Sequence, residues 1–124
     1  MGGVSAYRRV FRVEPYGWKL RLFTDRAKWA RHCAKLGGEP FAGLLSQASE
    51  AVGMTDWNAE HCECVVGVFD GDLATLAHEM THAAIAILNN AGVKFAATNS
   101  EPLAYLVGYL TGECAGSIQP KARW

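Results

Sequence analysis

Neither sign of charge dominates this chain: twelve Lys and Arg stand against twelve Asp and Glu, and the formal net charge is zero. That balance argues against a nucleic-acid or membrane-surface protein, which needs a broad basic face. The short basic clusters (Arg8, Arg9, Arg12; Lys28, Arg31, Lys35) read as solvated faces. Long hydrophobic runs are also missing. The longest wholly apolar stretch runs only from Ala83 to Leu88, far short of the roughly 20 residues that span a bilayer. The opening "MGGVSAYRRVFRVEP" lacks the apolar segment of a signal peptide, and Ala6 stands where a myristoylation pattern requires Ser or Thr. With no export signal, the four cysteines (Cys33, Cys62, Cys64, Cys114) are expected as reduced thiols in a cytoplasmic protein. There is no repeat, linker or low-complexity stretch, so the 124 residues are expected to form one domain.

Half of the chain is hydrophobic, enough for a core without staples. Residues 8–13 and 18–23 alternate like strands around "EPYG", which predicts a β-hairpin. Thr24 or Asp25 can cap a helix that ends near Gly37. Residues 38–49 read as a loop with a helical turn, and 50–55 as a short strand. "HCECVVGVF", residues 61–69, is the clearest strand, with its core over about 62–69. Asp70 or Asp72 can cap the next helix, which extends to about Asn90 with Gly92 as its stop. A last helix is expected over about 100–115, capped by Asn99 or Ser100 with Pro102 in its first turn. The tail "SIQPKARW" reads as irregular. Trp18, Trp29 and Trp57 are expected in the core or at a cleft edge, His32 on the surface, and Trp124 as a loose end.

The chemistry sits in "TLAHEMTHAAIAIL", Thr75 to Leu88. His78, Glu79 and His82 form H-E-x-x-H. Positions four apart on a helix lie nearly over one another, so both imidazoles can hold one metal ion. Glu79 is turned to the side, where it can take a proton from water at the metal. The run is apolar almost all round, which predicts a central helix whose polar residues are paired or metal-bound. Without a metal, His78 and His82 would read as satisfied core histidines. Catalytic zinc ordinarily takes three protein ligands and one open position. Glu101, at the start of the last helix, is the choice for the third if that helix folds back against the motif helix. As a plain structural residue it would be a first-turn carboxylate favoured by the helix dipole. Glu113, near the end of that helix, is the weaker candidate. A second metal site at His61, Cys62, Cys64 and Cys114 is disfavoured, because C-x-C lacks the second spaced pair of a structural zinc site.

"HEMTH" followed by Glu101 resembles the gluzincin-type zincin metallopeptidases, and looks closest to the small zincin-like proteins of phages and bacteria. The resemblance covers about residues 61–113. It implies one zinc ion on His78, His82 and Glu101, with Glu79 as general base and a peptide or protein as substrate. It implies a minimal zincin-like α+β domain, in which a small, mostly antiparallel sheet packs against the H-E-x-x-H helix and a following Glu-bearing helix. It also implies that the strand before the motif helix, about 62–69, lies along the cleft as an edge for β-augmentation. Two features depart from the family. Tyr105 stands where the larger gluzincins carry an acidic or small residue; it shares a face with Glu101 and can serve an oxyanion, or simply pack. Only about 20 residues follow Glu101, too few for a second subdomain, so the cleft is shallow or completed by a second copy or a partner chain. The expected function is therefore zinc-dependent peptide hydrolysis. The alternatives are a non-catalytic zinc-binding interaction protein and a hydrolase of a non-peptide amide.

Overall fold

In the computed structural model, which describes residues 7–118, alternation along the first strands decides how the sheet is buried. The end of the "SIQPKARW" tail, with Trp124, and the first six residues lie outside the described residues. Strands β1 (Val10–Val13) and β2 (Trp18–Phe23) form the expected hairpin. Phe11, Val13, Trp18, Leu20 and Leu22 point to one face and are buried, while Arg12, Lys19 and Arg21 alternate to the other. Gly17 closes the turn at φ +74°, a conformation that glycine adopts without steric cost.

Helix α1 (Arg26–Gly37) begins where Asp25 accepts a hydrogen bond from the Lys28 N–H at 2.9 Å. It ends at the left-handed Gly38, whose N–H donates to the Ala34 carbonyl. The segment 38–49, which the sequence leaves ambiguous between loop and helical turn, contains a full helix, α2 (Phe41–Ser49). It carries no side-chain cap and buries only Leu44 and Ala48, so its sequence signal is weak. Strand β3 (Gly53–Asn58) lies three residues later than the 50–55 reading, and β4 (Glu63–Val68) falls within 62–69.

The sheet order is β1-β2-β4-β3. The outer pairings, β1 with β2 and β3 with β4, are antiparallel, and the central β2–β4 pairing is parallel, so the sheet is mixed. Strand β4 is interior and buried on both faces, as its dense Val content requires. This corrects one expectation: the strand before the motif helix is not an edge. That place belongs to β3, because a parallel β2–β4 ladder occupies the other side of β4.

Helix α3 (Leu73–Asn90) starts at Asp72, whose carboxylate accepts from the Ala74 N–H at 2.9 Å. Leu76, Met80, Ala83, Ala84, Ile87 and Leu88 form its buried stripe. Helix α4 (Glu101–Cys114) has Ser100 at its N-cap without a side-chain bond, and buries Leu106, Leu110 and Cys114. Helices α3 and α4 cover the face of the sheet carrying Leu20, Cys64, Val66 and Val68. On the opposite face, α1 and α2 bury Trp29, Ala30, Cys33 and Leu44 against Val65. Helices thus cover both faces of the sheet. No helix among the described residues is long and apolar enough to cross a membrane.

All four cysteines are free thiols. Burial pushes Cys64 and Cys114 up to about 12 and raises Cys33 further still, so these three act as small apolar side chains. Trp29 is fully buried, and its indole N–H donates to the Val65 carbonyl at 3.1 Å. Trp29→Ala is expected to cost about 3–5 kcal/mol, against about 1 kcal/mol for removing the α3 cap with Asp72→Ala. Urea unfolding of the two variants checks both the size and the order.

Candidate functional site

The spacing of His78 and His82 on α3 sets them side by side. Their ring centroids are 5.0 Å apart and their planes meet at 75°. Both are exposed; the side chain of His78 is 68% accessible while that of Glu79 is only 8%. This corrects the picture of a helix apolar all round. α3 is amphipathic, and Thr75, His78, His82 and Asn89 lie along its open side at helical spacing. The histidines are therefore not core residues, and only Glu79 of the three is buried.

Glu79 faces the edge strand. The Thr55 hydroxyl on β3 donates to Glu79 Oε1 at 2.7 Å and lies 3.1 Å from the Glu79 carbonyl. A hydroxyl has one hydrogen, so the shorter contact is the principal bond. The other carboxylate oxygen, Oε2, lies 4.0 Å from His78 Nε2. Strand and helix come this close because residue 53 is glycine. A Cβ there would stand 2.7 Å from Thr75 Cγ2, 2.9 Å from Glu79 Cγ and 3.0 Å from the Gly67 carbonyl oxygen. Asp70 secures the start of the helix, accepting from the Thr75 hydroxyl at 2.8 Å and from the Asp72 N–H at 3.1 Å.

A cleft of about 570 Å³ runs between these elements, with Glu50, Gly53, Thr75, His78 and Glu79 in its walls. His82 borders a second hollow of about 270 Å³ with Trp18, Trp57 and Asn89. Trp18 is in the core and Trp57 half exposed at the hollow's edge, as expected of the tryptophans.

Glu101 and Tyr105 lie elsewhere. They share one face of α4, as their spacing requires, but that face lines a separate cavity with Tyr16 and Tyr109. Both are exposed. The structure thus brings His78, Glu79 and His82 together, and brings neither Glu101 nor Tyr105 to them. Among the described residues, no three His, Cys, Asp or Glu side chains form a group able to hold a metal ion. His82 is eight residues before the end of α3, roughly 12 Å along its axis. The loop that follows uses part of its length on a tight turn, in which Ala96 and Asn99 bond each other's backbones and Asn99 bonds the Lys94 carbonyl. Glu113 is engaged by Arg8 at 2.7 Å.

His32 is also not a free surface residue. Its Nε2 lies 2.7 Å from Glu63 Oε2, which accepts from Arg21 Nε at the same distance. Glu63 is buried at the first position of β4 and needs such partners.

Two residues of the site escaped the sequence reading, Thr55 and Gly53. A glycine inside a strand is a signal of close backbone approach, and Gly53 carried that signal inside the strand expected over 50–55, although it proves to be the first residue of β3. Thr55 had none, because its role depends on which strand meets α3.

Comparison with protein-family models, with curated proteins and with solved structures returned no match. Fold and site together define an α+β domain with a mixed four-stranded sheet, carrying an exposed imidazole pair beside a buried carboxylate on one helix.

Thr55→Val removes the donor to Glu79 and is expected to destabilise the fold by about 1–3 kcal/mol; Thr55→Ser should restore most of the loss. Equal losses in the two variants, measured by urea unfolding, would contradict the hydrogen-bond role. Gly53→Ala is expected to cost about 1–3 kcal/mol by forcing β3 away from α3. The backbone shift should be visible in amide chemical shifts of residues 53–55 and 75–79.

Proposed function

We propose that this chain is a zinc-dependent hydrolase of the metallopeptidase type, centred on His78, Glu79 and His82. One observation carries the reading. Two unshielded imidazoles lie side by side, next to a buried carboxylate that an edge-strand hydroxyl holds in place. The pair offers two imidazole nitrogens, which zinc binds readily, as two of the three protein ligands that a catalytic zinc ordinarily takes. Bound there, zinc would lower the pKa of water and polarise a substrate carbonyl.

In this reading, the chain's own residues do the following. His78 and His82 hold the ion. The Thr55 bond fixes Glu79 Oε1 and leaves Oε2, on the His78 side, to accept a proton from the attacking water. Glu79 then passes that proton to the leaving nitrogen. The free edge of β3 borders the cleft, and an extended peptide can add to it as a further strand. The cleft is open, so a second copy or a partner chain completing its far wall is part of the proposal. The resemblance supplies Glu101 as third ligand and Tyr105 as oxyanion donor. Their place in another cavity means that the proposal rests hydrolysis on Glu79 and leaves the third ligand to direct measurement.

Zinc content after dialysis is expected to be one ion per chain, and lost in His78→Ala and in His82→Ala. Glu79→Gln should retain the ion while turnover of a mixed peptide library falls by at least about 100-fold. Retained zinc with no turnover by the native chain would leave the interaction-protein reading in its place. Glu101→Gln should weaken zinc binding by more than the roughly 10–100-fold loss typical of outer-shell partners if its carboxylate is a ligand. An unchanged affinity would remove it from the metal site.

A further inference from the structure

A second sizeable cavity lies away from the histidines, between the hairpin turn and the first half of α4. It encloses about 660 Å³, within the range of small-molecule sites. One wall is a stripe on α4: Glu101, Tyr105 and Tyr109, each four residues from the last and so on one face. The facing wall is the hairpin turn, with Glu14 and Tyr16. The Tyr109 ring is fixed edge-on against Phe11, with centroids 6.3 Å apart. Tyr105 stands almost free, at 77% exposure.

We propose that this cavity binds an organic cation, an ammonium or guanidinium group enclosed by the tyrosine rings and neutralised by Glu14 and Glu101. Three observations lead there. The cavity has three tyrosine rings in its lining, and aromatic faces attract a cation within about 6 Å of the ring centroid. Its charged lining is acidic only, with two carboxylates and no Lys or Arg. Neither carboxylate has a salt bridge among the described residues, so both are available to a ligand. One effect opposes the assignment: the N-terminus of α4 brings a partial positive charge of about +0.5 to this end. Two carboxylates outweigh it. The site does not depend on Glu101 alone, since Glu14 and the three tyrosines keep their places whatever Glu101 ligates.

The same chemistry arrives either as a free small cation or as a Lys or Arg side chain of a peptide. Isothermal titration of the full chain with N-acetyl-arginine amide, against the neutral isostere N-acetyl-citrulline amide, tests the charge requirement. The arginine derivative should bind at least about ten-fold more tightly. Tyr105→Ala and Glu14→Gln, both exposed positions, should each weaken it about five-fold while leaving the thermal unfolding midpoint unchanged. Equal binding of arginine and citrulline derivatives, or two variants with native affinity, overturns the proposal. A short peptide with one internal arginine separates the sources. Binding about ten-fold tighter than the amide assigns the site to a peptide side chain, and equal binding assigns it to a free cation. The titration is run with chelator and again with zinc, so that loss of the metal reading leaves this one standing, and the reverse.

Discussion

Burying the Glu79 carboxylate between α3 and the edge strand is the constraint from which much else in this structure follows. A carboxylate removed from water without partners costs several kcal/mol. A hydrogen bond to a charged group returns about 1.5–3 kcal/mol. The donor must come from an element packed against the helix, and Thr55 on β3 is that donor. Its 2.7 Å bond requires β3 and α3 to approach closely, and that approach requires the missing side chain at residue 53. One hydroxyl, one carboxylate and one glycine thereby set the distance between sheet and helix. They also set which oxygen of Glu79 is held and which faces His78.

The same logic operates on the other side of the sheet. β4 is buried on both faces and begins with a charged residue. Glu63 is tolerated there because Arg21 from the neighbouring strand and His32 from α1 converge on one of its oxygens. That cluster ties β2, β4 and α1 together, just where the chain makes its parallel crossover. Breaking one arm would leave a buried charge partly uncompensated, which is costlier than losing an exposed pair. Glu63 and Glu79 thus tie opposite faces of the sheet to their helices.

How much of this could be read in the sequence depended on whether the signal was local. The hairpin, the Asp25 and Asp72 caps and the length of α3 were legible, because alternation, caps and stop glycines act within a few residues. α2 was not, since Pro40 gives it no cap bond and only two of its side chains reach the core. Which strand forms the edge was not legible either. Both β3 and β4 precede α3, and a parallel pairing with β2, distant in sequence, put β4 inside. The apolar composition of α3 suggested a helix buried all round. It concealed a narrow open stripe, because alanines fill the buried side and do little to mark the boundary.

Exposure of the histidines changes what the motif is worth as an argument. Had His78 and His82 been buried, a ligand would have been almost obligatory, because unpaired imidazoles in a core are expensive. On an open stripe they cost nothing, and the weight moves to Glu79. A glutamate on that stripe would also cost nothing, yet this one is turned inward and held by a hydroxyl. An inward carboxylate fixed at one oxygen, with the other oxygen toward an exposed imidazole, is difficult to explain as packing alone; Met would fill the space without the desolvation penalty, and Gln with a smaller one. The buried member of the motif thus supports the catalytic reading more strongly than the two residues that first draw attention to it.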